Sequence, residues 1–446
     1  MDTVIRIAYH TLGCKVNQYE TEKTREALEC AGFETVPFSS PADAYVINTC
    51  SVTSVADGKS RSAVRRALRL NPDAFVIVAG CYAELEPDAI RAIEGVDLVL
   101  PNDEKDSIAE RVIARFSPHP GPLSRGTMEL RPRTRSRAVV KVQDGCDQFC
   151  SYCIVPHARS RKWSRPVGEV IAEVRALAGF GYKEVVLTGI RLGAYGSAEQ
   201  EGSGLQVRGT ASGTTCPGRS RVSDLPELIR EVSAIDGIER VRLSSIEPWE
   251  VDDALLDAID SPKVCRHLHV PLQSGDDDVL RRMNRPYTSA EYREIVSRVR
   301  EMIPGIGITT DVIAGFPGET DTAFENTCRV IEDAGFSRLH VFRYSARSRT
   351  PAASMPEQVP PDVKKLRADR LIELGASAMQ RFASSLVGET LDVLVETQAK
   401  LSNHVSGFTD NYVETRFPGD ASLKGAIVRV RIAGVDGDGV VSGIRD

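Results

Sequence analysis

From Arg6 to about Leu100 short apolar runs alternate with amphipathic stretches. IRIAYHTL, DAYVINT and AFVIVAG have strand length and β-branched or aromatic content, whereas YETEKTREALECAG and KSRSAVRRALRLN between them have helix length and helix-forming composition. That order predicts a parallel sheet flanked by helices. The alternation resumes at Ala138 with the strand candidates AVVKVQ, EVVLTGI, RVRLSSI, HLHVPL, GITTDVIAGF and RLHVFRY, and predicts a full or partial β/α barrel. Past a helical stretch from about Pro361 to Leu386 the pattern changes to short alternating strands, LDVLVE, NYVETRF, AIVRVRIAGV and GVVSGI, the mark of a small β-barrel. The fold class is therefore α/β. It comprises an N-terminal parallel α/β domain over 1–115, a linker over 116–137 punctuated by Pro120, Pro122 and Pro132, a β/α barrel over 138–384 and a C-terminal β-barrel over 385–446. A Gly/Ser/Thr-rich stretch at 197–222 reads as a mobile surface insertion in the barrel.

At 446 residues the chain exceeds what one hydrophobic core organises. Its 41% hydrophobic and 26% charged residues are those of an ordinary globular protein, and no apolar run of about 18 residues is present, so no membrane span is expected. MDTVIRIAYH reads as a first strand rather than a signal peptide, which predicts a cytoplasmic protein. The net charge of −6 requires any nucleic-acid surface to be local. Two basic runs could provide one: Arg131, Arg133, Arg135 and Arg137, and Arg159, Arg161, Lys162 and Arg165 around Trp163. Either can equally be solvated linker.

Cysteine spacing changes the picture most. In a reducing compartment ten cysteines are candidate metal ligands rather than a disulfide framework. Cys146, Cys150 and Cys153 in DGCDQFCSYCIVPHARS form a C-x3-C-x2-C triplet immediately after the first barrel strand. Three closely spaced thiolates can hold three irons of a [4Fe-4S] cube and leave the fourth open to a substrate. A zinc site completed by His157 is the alternative. Cys14, Cys50 and Cys81 each close a predicted strand just before a helix, where parallel α/β sheets gather ligand sites, so three strand ends can converge on a second cluster. Cys30, Cys216, Cys265 and Cys328 lack such placement and read as packing.

TLGCKVNQYETE, INTCSVT, AGCYAE, QDGCDQFCSYCIVPHARS and HVPLQSG together resemble the radical S-adenosylmethionine (SAM) methylthiotransferase family over nearly the whole chain. KVNQYETE, INTCSVT and RLSSIEP are most similar to the branch acting on N6-threonylcarbamoyladenosine beside the tRNA anticodon. Sister branches act on isopentenyladenosine or on a ribosomal-protein aspartate. The resemblance implies two [4Fe-4S] clusters, a sulfur-delivering one on Cys14, Cys50 and Cys81 and a radical-generating one on Cys146, Cys150 and Cys153. It also implies SAM as both methyl donor and radical source. Tyr152 fills the family's aromatic position, Gly189 its SAM-amino strand, and Asp311, with Gly315 and Pro317, its adenine-lining segment. Ser245, Glu247, Gln273 and Arg285 fall near predicted strand ends, where barrels place active-site groups. Implied partners are the tRNA anticodon loop, a reductant protein such as flavodoxin or ferredoxin, and a sulfur donor. The terminal barrel resembles a small RNA-binding barrel, offering Phe408, Tyr412 and Phe417. Arg191, Arg343 and Arg349 depart from the family pattern, Arg349 standing where a glycine is expected. The reading from another class is a non-catalytic iron-sulfur or zinc RNA-binding protein.

Overall fold

The computed structural model describes residues 4–116, 135–197, 224–398 and 403–445. Most of the linker with Arg131 and Arg133, and the predicted insertion with Cys216, lie outside the described residues. The chain divides into two compact units: Met1–Arg133 with Cys146–Ser160 and Ser345–Ser354, and Thr134–Gly145 with Arg161–Tyr344 and Met355–Asp446. Among the described residues no helix is long and apolar enough to cross a membrane.

The first unit is built on a parallel sheet of β1 (Arg6–Thr11), β2 (Glu34–Val36), β3 (Ala44–Thr49), β4 (Phe75–Gly80) and β5 (Leu98–Leu100), ordered β2-β1-β3-β4-β5. β3 is buried along its whole length because both faces are covered. Tyr45 and Ile47 pack with Val64 and Ala67 on one side, Ala44 and Val46 with Leu28 and Val112 on the other. That two-sided burial is why the strand is apolar from Ala44 to Ile47, with Asn48 and Thr49 buried at its end. Helix α1 (Lys15–Cys30) follows β1, and α2 (Ser54–Leu70) follows β3 with the Thr53 hydroxyl accepting from the Ala56 N–H at 3.2 Å. The short α3 (Cys81–Leu85) follows β4. β2 and β5, three residues each at the sheet edges, are too short to carry a readable period.

In the second unit β6 (Arg137–Lys141) leads into a small antiparallel ladder of β7 (Gln143–Asp144) with β8 (Trp163–Ser164). β6 also pairs in parallel with β9 (Glu184–Thr188), and β9 with β10 (Arg240–Leu243). A second parallel sheet orders β11 (His267–His269), β12 (Gly307–Ala314) and β13 (Arg338–Arg343). The isolated bridges Val241↔Val264 and Ser245↔His269 carry the series from one sheet to the other, giving a partial barrel of six strands. HLHVPL contributes only three residues because Pro271 has no N–H for a ladder.

Past the long helix Pro361–Ser384, β14 (Thr390–Gln398), β15 (His404–Thr409), β16 (Glu414–Pro418), β17 (Ile427–Val435) and β18 (Val441–Arg445) close into a barrel ordered β14-β15-β16-β18-β17. This confirms the expected terminal barrel and corrects its aromatic face. Phe417 is fully buried among Val393, Val405 and Val430 and presents nothing to a base. Phe408 and Tyr412 stack on each other at 4.9 Å, and Tyr412 also meets His267 at 4.6 Å and Arg242 at 4.9 Å. The Tyr412 ring and the nearby carbonyls give the buried Arg242 guanidinium aromatic and hydrogen-bond partners. Arg242 donates from Nε to Glu184 Oε1 at 2.8 Å and from Nη2 to the Thr409 carbonyl at 3.1 Å, while Arg266 pairs with Asp410 at 2.6 Å.

Candidate active site

In the first unit the three strand-end cysteines sit where the sheet predicts. Cys14 is the exposed N-cap of α1, Cys50 follows β3 and is buried, and Cys81 opens α3, also buried. Gly13, at φ +93°, lies so near Cys50 that a Cβ there would come within 2.9 Å of its Sγ. Gly80, at φ +101°, would put a Cβ 2.4 Å from the Thr49 carbonyl, so the chain crosses over the end of β3 only as glycine. Burial pushes the Cys50 thiol up to about 11, and the neighbouring Cys81 and Cys14 push the same way.

The C-x3-C-x2-C segment belongs to the same unit. Its loop is tightly wound: the Cys153 N–H donates to the Cys150 carbonyl at 2.9 Å, and the Gln148 N–H points at Cys146 Sγ at 3.4 Å. The short helix Val155–Ala158 that follows packs Ile154 and Ala158 against Cys81 and Leu85. Arg159, fully buried rather than free for phosphate, forks onto Glu20 at 2.9 and 3.0 Å and onto Asn17 Oδ1 at 2.7 Å. Asn17 Nδ2 in turn donates to the Leu12 and Thr49 carbonyls at 2.8 and 2.9 Å, and Lys105 Nζ holds Glu20 from the far side at 2.6 Å. Burial pulls the Lys105 ammonium down while Glu20 pushes it back up.

As a donor set, the three thiols of the C-x3-C-x2-C segment fit a four-iron cube with one iron left open. None of the described cysteines is in a disulfide, and among the described residues no three His, Cys, Asp or Glu side chains come close enough to hold one metal ion. A zinc ion needs four converged ligands, whereas a four-iron cube takes one thiolate per iron and so needs thiols spread around it.

In the second unit the strand ends gather polar groups, several of them paired. The Arg285 guanidinium, essentially buried, binds Glu247 and lies 4.8 Å over the Trp249 ring. Arg191 approaches the same ring at 5.7 Å and donates from Nε to Glu250 at 2.6 Å. Gly189 is packed so closely that a Cβ would come within 2.7 Å of Gln143 Oε1, the atom that accepts from the Arg191 N–H at 2.8 Å. Gln273 adopts φ +61°, a left-handed conformation costing a non-glycine residue about 1–3 kcal/mol and concentrated at functional sites. Its N–H donates to the Asp311 carbonyl at 2.8 Å, and the Asp311 carboxylate meets His269 at 3.2 Å and His340 at 3.5 Å. Ser245 is exposed at the end of β10. Thus Glu247 and Arg285 come together, as do Gln273 and Asp311, while Tyr152 lies with its cysteines in the first unit.

Sequence reasoning missed Glu250, His269 and His340 here and Glu20, Asn17, Lys105, Asp57 and Arg347 in the first unit. HVPLQSG held His269 and TLGCKVNQYETE held Asn17 and Glu20 in plain view, whereas the partners that pair with them or with one another lie far apart in sequence. Arg165, read as part of a basic run, is instead paired with Glu173 at 2.7 Å. Arg161 and Lys162 are exposed.

Residues 140–331 match the radical SAM superfamily, and residues 6–101 match the uncharacterized protein family UPF0004. The chain is 38% identical over 442 residues to the threonylcarbamoyladenosine tRNA methylthiotransferase MtaB of Bacillus subtilis (strain 168), covering 96% of this chain and 93% of that one. It is 36% identical over 451 residues to the tRNA-2-methylthio-N(6)-dimethylallyladenosine synthase of Methylococcus capsulatus, with 96% and 93% covered. Among solved structures, the radical SAM methyltransferase TsrM of Kitasatospora setae shares the fold at a TM-score of 0.55 and 16% identity, over 79% of this chain and 77% of that one. The superfamily match implies SAM and a [4Fe-4S] cluster as cofactors. With full-length relatives at this identity, the chain belongs to the radical SAM methylthiotransferase family.

Proposed function

We infer that this chain is a cytoplasmic tRNA methylthiotransferase acting at carbon 2 of N6-threonylcarbamoyladenosine beside the anticodon. The observation that carries the reading is the gathering of both cysteine triplets in one compact unit of a chain whose full-length relatives include threonylcarbamoyladenosine tRNA methylthiotransferases. Cys146, Cys150 and Cys153 would hold one [4Fe-4S] cluster that binds SAM, and Cys14, Cys50 and Cys81 would hold a second that supplies sulfur. When bound, these groups supply the radical chemistry that replacing an unactivated C–H bond demands and that no side-chain acid or base provides.

The chain's own residues bind and orient. Gly189 leaves room for a backbone approach, since a side chain there would collide with Gln143. Arg285 fixes the Glu247 carboxylate, and the strained Gln273 backbone holds the Asp311 segment in register. Ser245 and Asp311 offer polar contacts to SAM, and Tyr152 lies between two cluster thiolates in sequence. A reductant protein and a sulfur donor complete the turnover.

The similarity to dimethylallyladenosine synthases supports one alternative, the same chemistry on an isopentenylated adenosine. Mass spectrometry of tRNA nucleosides from a deletion strain decides. Loss of the 2-methylthio form of threonylcarbamoyladenosine alone supports the reading, and loss of the isopentenyl form instead overturns the substrate. Anaerobic iron analysis tests the two clusters: wild type should hold about eight irons and a Cys146, Cys150, Cys153 triple alanine variant about four. Wild type holding four or fewer would sink the two-cluster reading.

A further inference from the structure

The six predicted cluster cysteines sit on four separate stretches of chain, and thiols so distributed keep register only if something fixes the stretches themselves. The loop Ser345–Ser354 reaches three of them. Arg347, 9% exposed, donates from Nη1 to Asp57 Oδ2 at 2.6 Å and from Nη2 to Ser51 Oγ at 2.7 Å. Ser51 is the residue after Cys50 and itself donates to Asp57 Oδ1 at 2.7 Å. Ser345 Oγ accepts from the Ser54 N–H at 3.2 Å, at the start of α2. Arg349 donates to the carbonyl of Leu85 at 2.6 Å, the last residue of the helix that Cys81 opens. The Ala352 N–H donates to the carbonyl of Ser151 at 2.8 Å, between Cys150 and Cys153. The loop is also braced within itself, Thr350 donating from N and Oγ1 to the Arg347 carbonyl at 2.9 and 2.8 Å. The fourth stretch, carrying Cys14, is tied to the C-x3-C-x2-C segment by Arg159.

We propose that the loop Ser345–Ser354 is a clasp that sets the spacing between the two cysteine triplets, with Arg347 as its positioning residue. Each outward bond lands within seven residues of a predicted ligand. A planar guanidinium divided between a carboxylate and a hydroxyl fixes direction as well as distance, which a lysine point charge does not. The clasp rests on the two-cluster reading. It adds that the geometry between sulfur delivery and radical generation is held by this loop and not by the clusters alone.

The test uses the full-length protein with Arg347→Met and Arg347→Lys. In the apoprotein, amide exchange at Ala352 should be slow in wild type and fast in Arg347→Met. In reconstituted enzyme, Arg347→Met should keep wild-type iron content and SAM cleavage while 5'-deoxyadenosine released per methylthiolated tRNA rises about tenfold, since misplacements near 1 Å cost orders of magnitude in rate. Arg347→Lys should fall between. An unchanged ratio with unchanged Ala352 exchange overturns the clasp, as does a parallel loss of iron and SAM cleavage that marks general unfolding. If Arg347→Met does not fold, the lysine variant decides, an unchanged ratio again overturning the proposal. Wild type lacking a second cluster would sink the two-cluster reading instead, and apoprotein exchange at Ala352 would still report on the clasp.

Discussion

Replacing Glu184 by glutamine should cost the second unit much of its stability. The carboxylate is fully buried and serves Arg242 at 2.8 Å and Arg240 at 3.7 Å, with Arg137 also contributing to its field. The amide keeps volume and one acceptor but removes the charge that three guanidinium groups share. Arg137 retains Glu396 at 2.5 Å, whereas Arg242 is left with backbone carbonyls of Thr409 and Asp410. Removing one partner of a buried pair costs about 3–5 kcal/mol, because the remaining charge stays desolvated. At a few degrees per kcal/mol for a unit of this size, the melting temperature should fall on the order of 10 °C. Burial by itself would raise the Glu184 carboxyl; Arg242, Arg137 and Arg240 outweigh it and hold the group below its ordinary value of 4.5. A depressed folded pKa means the contribution is fully present above the ordinary value and is lost as pH falls through the folded one. The difference between wild type and Glu184→Gln should therefore be largest at neutral pH and shrink below about pH 4. Apoprotein melting by circular dichroism across that range reads both effects. A variant that melts within about 2 °C of wild type at pH 7, or a difference that grows on acidification, would refute the reasoning.

In the first unit, Arg159→Met should lose about 3–5 kcal/mol by stranding Glu20 against Lys105 alone, and Arg159→Lys should recover only part because it cannot fork; denaturant titration of the apoprotein measures both. Gly13→Ala should cost about 1–3 kcal/mol in backbone strain and reduce iron content by displacing Cys50, which iron and sulfide assays would show. Phe417→Ala should destabilise the terminal barrel by about 3–5 kcal/mol, whereas a direct loss of tRNA affinity in a still-folded variant would restore that side chain as an RNA contact.

Elements that repeat a simple period were legible in the sequence. DAYVINT and AFVIVAG announced buried parallel strands because two-sided burial leaves a run of adjacent apolar positions, and the cysteines after them followed from strand-end geometry. What stayed hidden lacks a local signature. β15, HVSGFT, carries Ser, Gly and Thr that read as turn, yet ladders on both sides hold it as a strand. Partners such as Arg347 with Asp57 or Arg242 with Glu184 are joined only by the fold. Two family departures acquire reasons in the same way. Arg349, where a glycine was expected, bonds the Leu85 carbonyl, and Arg191 is held by Glu250 beside Trp249. Nothing in the structure explains Arg343.

The same long-range pairing alters what net charge says about tRNA. Nine basic residues are buried among those described, Arg25, Lys105, Lys141, Arg159, Arg240, Arg242, Arg285, Arg347 and Arg367, against six acids, Glu26, Asp57, Asp144, Glu173, Glu184 and Glu319. Among the described residues folding thus withdraws more positive than negative charge from solvent. A basic run in the sequence therefore overstates the phosphate contacts available: Arg159 holds Glu20 and Arg165 holds Glu173, so only Arg161 and Lys162 of that cluster face solvent. An acidic protein that binds an anionic polymer must concentrate its exposed cations, and each lost phosphate contact lowers the slope of log affinity against log salt by nearly one. Reversing Arg161 and Lys162 should therefore reduce that slope by up to about two for tRNA, while Arg165→Gln should leave it unchanged and lower stability instead.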